Sequence, residues 1–216
     1  MTTKRSTLLA LLMLAAALST PALPALAATD AAAFATAMAE FTRALDGADA
    51  AVDPAAEQLI KLSQAEPQDP VLRAYAGAAT SLRARTMLLP WKKMNAAEDG
   101  LALIDKALAQ LTPAHDAPLH RGTPASLETR FVAAGTFLAM PSMLNRGPRG
   151  AKLLDEVLKS PLLDSAPLGF KVAVWMRAGL EAAKAEHKDE ARQWFNKVAA
   201  SGAPQASAAQ ARLKAL

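Results

Sequence analysis

Apolar residues recur at every third or fourth position along most of this 216-residue chain, which is the spacing of one face of an α-helix. One such stretch begins at Asp30 and is closed by Gly47, a second follows Asp53-Pro54, and a third begins at Asp69-Pro70 and reaches Pro90. An aspartate followed by proline is typical of a helix start, because the carboxylate caps free amides and proline needs no amide partner. No stretch shows the alternation of a β-strand. The pattern therefore predicts an all-α protein.

Further helices are predicted on both sides of a break at residues 112–124, which is rich in proline and turn-forming residues. Thr123-Pro124, with Glu128 one turn later, is predicted to open the helix that follows this break. The stretches that mark the fourth and later helices are 91–111, 131–138, 153–158, 172–180, 189–200 and 205–214. Because the connections are short, we expect successive helices to pack as antiparallel hairpins.

The first 27 residues differ from the rest of the chain. Lys4 and Arg5 precede an apolar run over residues 8–18, and Ala25-Leu26-Ala27 provides two small residues at a cleavage position. This order is typical of a secretory signal peptide, and the run is shorter than the roughly 20 residues that span a bilayer. We expect cleavage before Ala28, a single mature domain over residues 28–216, and a periplasmic or secreted location without a stable membrane anchor.

Charge and cysteine content narrow the partner classes. Without Lys4 and Arg5, basic residues exceed acidic residues by two, which is far from the clustered positive charge of a nucleic-acid-binding domain. The chain has no cysteine, so disulfides, thiolate metal sites and a cysteine-linked lipid anchor are excluded. We expect core packing alone to hold the exported protein together, with no nucleic acid among its partners and no cofactor.

Small residues recur inside the predicted helices. An Ala-Gly pair lies within each of three alternate helices, at Ala76-Gly77, Ala134-Gly135 and Ala178-Gly179. The helices that follow carry a small residue four positions before a large one, at Gly100 and Ile104, Gly150 and Leu154, and Ala191 and Phe195. Glycine inside a helix costs about 1 kcal/mol relative to alanine, so its return indicates close helix crossings.

On these residues the chain resembles the tetratricopeptide repeat (TPR) family. The match is in register over residues 172–205, through Trp175, Ala178-Gly179, Ala182, Ala191, Phe195 and Val198. It is looser over residues 128–161 and 70–113. The resemblance implies antiparallel helical hairpins stacked as a short, irregular solenoid, with Trp175 and Phe195 buried beside Gly179. The alternative is a helical bundle without repeats.

The same resemblance implies a concave groove lined by the first helix of each hairpin. The positions that would line it are Ser81, Leu82, Thr136, Met140, Met176 and Leu180. They are apolar or small and include no lysine or arginine, so the groove is expected to take an apolar or amphipathic segment rather than a charged terminus. The alternative is that these side chains only pack between neighbouring hairpins.

Candidate chemical sites are weak in this sequence. His115, Asp116 and His120 share one loop and carry metal-ligating atoms, but their spacing matches no ligand pattern, and a solvated loop is the preferred interpretation. Five methionines (Met87, Met94, Met140, Met143 and Met176) could hold Cu(I), and core packing is preferred for them. The segment from Asn145 to Gly150 could cradle an anion, but a basic turn is preferred.

No catalytic motif is present: the chain has neither a serine nucleophile elbow nor a glycine-rich dinucleotide or phosphate loop. The sequence therefore predicts a non-catalytic binding or scaffolding module of the cell envelope that recognises a protein segment in a helical groove. The alternative is a small-molecule or lipid carrier with a pocket near Pro90-Trp91, where Arg85 and Lys92 could also lie. An enzyme with an unrecognised site is the third hypothesis.

Overall fold

The structure is a computed structural model that describes residues 23–216, with side chains from residue 31 onward. The signal peptide expected over residues 1–27 falls mostly outside the described residues. Over the described part the chain is predominantly helical, which confirms that the fold is mainly α. No helix in this part is both long enough and apolar enough to cross a membrane.

Ten α-helices and one short β-hairpin make up the described chain. The helices are α1 (Leu23–Leu45), α2 (Val52–Ala65), α3 (Pro70–Leu82), α4 (Pro90–Ala109), α5 (Ala125–Ala139), α6 (Gly147–Lys159), α7 (Leu162–Ser165), α8 (Leu168–Lys184), α9 (Lys188–Ala199) and α10 (Ala206–Lys214). The hairpin strands are β1 (Pro118–His120) and β2 (Thr123–Pro124).

Local signals set several helix ends as expected. Asp69 caps α3, because its Oδ1 accepts hydrogen bonds from the backbone amides of Val71 at 2.8 Å and Leu72 at 3.1 Å. Gly47 follows α1 with a φ of +103°, a conformation that other residues rarely adopt. Pro90, expected at the end of the third helix, is instead the first residue of α4 and holds the preceding Leu89 in extended backbone.

Several helix bounds differ from the prediction. α2 begins at Val52, so Asp53 lies inside its first turn, and α5 begins at Ala125, because Thr123 belongs to β2. α1 begins at Leu23 rather than at Asp30, and five of the seven residues from 23 to 29 are alanine or leucine, which are good helix formers. α3 ends at Leu82 rather than near Pro90, and a 3-10 turn over residues 83–85 follows it. Arg83 in this turn pairs with Asp53 at 2.8 Å, which directs the chain towards the start of α2 instead of along the helix axis.

The expectation that the chain contains no strand was wrong at residues 118–124. β1 and β2 form an antiparallel ladder in which Pro118 faces Pro124 and His120 faces Thr123. Arg121 and Gly122 connect them with φ values of +50° and +71°. Two consecutive positive φ angles give the turn twist that suits a two-residue hairpin.

Helix pairs α3/α4, α5/α6 and α8/α9 form the main packing contacts. A Cβ added at Gly77 would lie 2.6 Å from the carbonyl oxygen of Gly100, and one added at Gly100 would lie 2.5 Å from the backbone nitrogen of Ser81. Gly77 also approaches Ile104, so α3 and α4 run antiparallel. The crossing expected at the first Ala-Gly pair is therefore present.

The other two Ala-Gly pairs differ from each other. A Cβ on Gly179 would lie 2.5 Å from the ring of Phe195, which is 1% exposed, so the α8/α9 crossing is also present. Trp175, expected to be buried beside it, is only partly buried. A Cβ on Gly135 would meet only the end of Arg177 at 3.4 Å, so Gly135 lies at no helix crossing; Gly150 of α6 makes the close approach to α5 instead.

Candidate functional site

A cavity of about 950 Å³ lies between α1, α3, α4 and α5, with a contribution from α8. This is at the upper end of the roughly 300–1,000 Å³ that small-molecule sites occupy. We call it the central cavity. Its lining residues are Met38, Phe41, Thr42, Leu45, Tyr75, Ala78, Ser81, Leu82, Ala84, Arg85, Pro90, Lys93, Met94, Ala97, Phe131, Val132, Gly135, Thr136, Ala139, Met140, Pro141, Met143, Leu144 and Arg177.

Helical periodicity explains how each element reaches the cavity. The first two turns of α4 contribute Pro90, Lys93, Met94 and Ala97, which share one face because they are spaced by three or four residues. α1 presents residues 38, 41, 42 and 45 in the same way. Both α1 and α4 pack against α3, which is buried along nearly its whole length.

Hydroxyl groups in the lining are already hydrogen-bonded within the protein. Thr42 and Thr136 each donate to the carbonyl oxygen four residues earlier, both at 2.9 Å, and Ser81 donates to Ala78 at 2.8 Å. The Tyr75 hydroxyl donates to Glu128 at 2.9 Å. These groups therefore leave an apolar surface towards the cavity, suited to hydrocarbon rather than to a polar ligand.

Charge in the lining has one sign. Arg85, Lys93 and Arg177 line the cavity, and the lining among the described residues includes no Asp, Glu or His. Arg85 pairs with Asp49 at 3.0 Å, and Arg177 lies 3.6 Å from Glu181. Lys93 takes part in none of the ion pairs found in the described part of the chain.

The open side of the cavity is formed by lining residues that are exposed. They include Leu45, which is 58% exposed, Met143, which is 76% exposed, and the exposed Pro90 and Lys93. We call these four residues the mouth. Lys93 therefore places an ammonium group without a carboxylate partner where an apolar cavity meets water.

A buried polar network supports the wall behind Tyr75. Glu128 is 1% exposed and accepts hydrogen bonds from the Tyr75 hydroxyl and from Arg121, while its second carboxylate oxygen has no protein partner among the described residues. Burial raises the pKa of the Tyr75 hydroxyl, and the neighbouring Glu128 charge adds to the shift. Tyr75 is therefore held as a neutral hydrogen-bond donor.

The β-hairpin completes this wall. The His120 ring is 4.5 Å from the ring of Phe34, and its Nε2 lies 2.6 Å from the Asp69 carboxylate. The hydrogen bond to Asp69 raises the pKa of His120, although burial opposes the shift. Arg121 lies over the Phe34 ring at 5.0 Å. The hairpin thus ties α1, α3 and α5 together through side chains far apart in sequence.

The structure brings four of the six predicted groove residues together. Ser81, Leu82, Thr136 and Met140 all line the central cavity. Met176 and Leu180 lie apart from it and pack against the α8/α9 core, with Leu180 also lining a smaller depression of about 640 Å³. The six residues therefore do not form one continuous groove.

The other sequence candidates separate in space. His115 accepts from the Thr112 amide, Asp116 accepts from Ser126, and His120 pairs with Asp69. No group of three or more metal-ligating side chains occurs within the described residues. Arg146 and Arg149 both pair with Asp105 instead of facing a free anion.

Core packing was the preferred interpretation of the methionines, and it does not hold for all of them. Met94, Met140 and Met143 line the central cavity, as does Met38 of α1, for which the sequence suggested no site. Arg85 lines the cavity as the pocket hypothesis expected, whereas Trp91 does not and is 61% exposed. No sequence signal separates an apolar face that packs from one that lines a space, which is why the α1 residues were missed.

No protein-family model, curated protein or solved structure matches this chain.

Proposed function

We propose that this protein is a non-catalytic carrier that binds an amphipathic small molecule, with its hydrocarbon part in the central cavity and an anionic head at the mouth. The observation that carries this proposal is a cavity of about 950 Å³ whose mainly apolar lining includes cationic side chains and no carboxylate. Unbranched hydrocarbon chains suit such a lining because they require no hydrogen bonds from it.

The anionic head follows from the charge balance at the mouth. Lys93 has no carboxylate partner in the described chain, while the lining arginines Arg85 and Arg177 have acidic neighbours. Lys93 lies near the start of α4, whose first turn contains no acidic residue. The positive end of the α4 helix dipole therefore adds to the positive potential at the mouth. A carboxylate or phosphate head is attracted here, and a quaternary ammonium head is repelled.

Recognition of a protein segment is the second candidate, and the placement of the predicted groove residues disfavours it. A continuous groove would need Met176 and Leu180 to extend the surface formed by Met140 and Thr136, but they pack in the α8/α9 core. TPR-like stacking of the hairpins is proposed as the frame of the cavity, supported by the antiparallel α3/α4 pair and the crossing at Gly179. Export to the periplasm or outside remains part of the proposal on sequence grounds.

Three single-chain probes with one chain length test the head group: dodecanoate, dodecanol and dodecyltrimethylammonium. Each is titrated against a fluorescent fatty-acid probe bound to the purified protein. We expect dodecanoate to displace the probe at the lowest concentration and the ammonium compound at the highest. Replacing Lys93 by methionine should weaken dodecanoate binding about fivefold and leave dodecanol unchanged. Lys92→Met is the matched control, because Lys92 is adjacent but outside the lining.

A matched threonine pair tests the cavity itself. Thr136 and Thr36 both donate to the carbonyl four residues earlier, but only Thr136 lines the cavity, and Thr36 is exposed on α1. Thr136→Phe should weaken dodecanoate binding at least tenfold by filling the space, and Thr36→Phe should not. Equal binding by both folded variants, or no binding of any probe to the wild type, contradicts the proposal.

Glutamate substitutions separate the two candidate functions. If a small molecule binds in the cavity, Met140→Glu weakens binding at least tenfold and Met176→Glu does not, because only Met140 lines the space. If a protein segment binds along the hairpins, both substitutions weaken it. Circular dichroism and the thermal midpoint of each variant show whether it is folded.

A further inference from the structure

The end of the connector between α3 and α4 and the first turn of α4 expose large apolar side chains beside lysines. Leu88 is 92% exposed, Leu89 39% and Trp91 61%, and Lys92 and Lys93 follow directly. We call these five residues the 88–93 patch. Isolated exposed leucines are ordinary in soluble proteins, but a leucine pair and an indole lie here within four residues of the chain, and we call these three side chains the apolar tip.

Ion pairs hold this connector in place. Arg83 pairs with Asp53 at 2.8 Å and with Glu57 at 3.5 Å, and Arg85 pairs with Asp49 at 3.0 Å. These contacts fix the chain just before the patch on the start of α2. The chain that leads into the apolar tip is therefore anchored.

The charge of the patch is uncompensated. The sequence from residue 70 to residue 97 contains no Asp or Glu. Lys92 and Lys93 take part in none of the ion pairs formed by side chains over residues 31–216. The arginines just before them are neutralised by α2 and its preceding turn, so the two lysines are the positive groups that a partner meets.

We propose that the 88–93 patch docks reversibly on the surface of an anionic phospholipid membrane. Leu88 and Leu89 would enter the boundary between headgroups and acyl chains, and the Trp91 indole suits the same depth because it has an apolar body and a polar nitrogen. Lys92 and Lys93 would contact the phosphates. Docking on the bilayer surface requires no spanning segment.

The size of the patch favours a membrane over a protein partner. A stable protein–protein interface involves about 20–30 residues on each side, whereas the patch has five. Insertion into a fluid interface needs only a few apolar side chains and nearby cations, because lipids adapt to the shape of the tip. Uncompensated lysines also match the negative surface of anionic lipids without requiring one defined carboxylate partner.

Docking in this way would bring the cavity to the bilayer. Lys93 belongs to both the patch and the mouth, and Pro90 and Met94 of the same helix start line the cavity. An amphipathic ligand could then pass between bilayer and cavity with little exposure of its chain to water. The docking itself does not depend on the proposed ligand, because Leu88, Leu89, Trp91 and Lys92 lie outside the lining.

Cosedimentation with vesicles tests the proposal. The purified protein is mixed with vesicles of phosphatidylcholine alone or of phosphatidylcholine with phosphatidylglycerol, at low and at high salt. We expect binding to the anionic vesicles that falls with added salt, and little binding to phosphatidylcholine alone. Lys92→Gln should lower the partition coefficient about fivefold, and Leu88→Ser combined with Trp91→Ala should lower it at least tenfold.

Leu168→Ser provides the matched control, since Leu168 is 47% exposed on α8 and lies outside the patch. It should bind vesicles as the wild type does. Absence of wild-type binding to anionic vesicles, or equal binding by the folded patch variants, overturns the proposal. Because Lys92→Gln leaves the cavity lining intact, probe displacement in the same variant shows separately whether the proposed ligand binding holds.

Discussion

Alanine substitutions at four glycines test how the helices cross. The change is the same at Gly77, Gly135, Gly179 and Gly169: one methyl group is added inside a helix. Helix propensity favours each substitution by up to about 1 kcal/mol. The surroundings differ, so the sign of the change in unfolding free energy should differ as well.

At Gly77 the new methyl would lie 2.6 Å from the Gly100 carbonyl oxygen and 2.7 Å from Ile104 Cγ1. The first of these atoms is backbone, so α3 and α4 must separate. Overpacking of a core costs about 1–3 kcal/mol, and we take the upper value because a rotamer change does not relieve a backbone contact. After the propensity gain, Gly77→Ala should destabilise the protein by about 2 kcal/mol, which is about 4–8 °C in Tm for a chain of this length.

At Gly135 the methyl would meet only the end of the Arg177 side chain at 3.4 Å. Gly135→Ala should therefore be neutral or stabilising by up to about 1 kcal/mol. Gly179→Ala should be intermediate, because it presses on the Phe195 ring at 2.5 Å rather than on backbone. Gly169, in the first turn of α8, has no atom beyond its own helix backbone and chain neighbours within 4 Å of the added Cβ, so its substitution is a control without a packing cost.

Urea unfolding followed by circular dichroism at equal protein concentration measures all four variants. The expected difference between Gly77→Ala and Gly135→Ala is about 3 kcal/mol. A Gly77→Ala variant as stable as the wild type, or a Gly135→Ala variant destabilised as strongly as Gly77→Ala, would refute the crossing geometry.

Three further predictions concern the buried network and the N-terminus. The hydrogen bond to Asp69 raises the pKa of His120 above its ordinary 6.5. The stabilisation from this hydrogen bond should therefore be complete below pH 6.5 and be lost as the pH rises through the folded-state pKa. Urea unfolding across pH should show this decline in the wild type but not in His120→Asn. Arg121→Ala should lower the free energy of unfolding by about 2 kcal/mol, which is less than the loss of a fully buried ion pair because Arg121 is half exposed. Adding Glu128→Leu should recover part of this loss in a double-mutant cycle. Exported protein should begin at Ala28, and an intact mass that retains residues 1–27 would contradict this.

Sequence reasoning was most successful where the cause is local. Asp69 caps α3 and Gly47 ends α1 as predicted, because each effect depends on the residue's own backbone and its nearest neighbours along the chain. The helical spacing of apolar residues also predicted the mainly α fold, since burial of one face requires that spacing whatever the partner.

The identical Ala-Gly pairs at Gly77 and Gly135 mark the limit of that reasoning. Both are glycines inside helices next to alanine, yet one touches the backbone of α4 and the other faces the central cavity. The difference depends on which helix lies opposite, and that is decided by packing among helices far apart in sequence.

The central cavity and its wall were likewise decided only by the tertiary structure. The Tyr75–Glu128 hydrogen bond joins residues 53 positions apart, and Arg121 reaches Tyr75 across 46 positions. The sequence by itself determined the cap of α3 and the end of α1, which faces are apolar and that Lys93 stands in a segment without acids. Whether an apolar face closes against a neighbour or borders a space depends on the distances between helices, which this buried network and the glycine crossings set together.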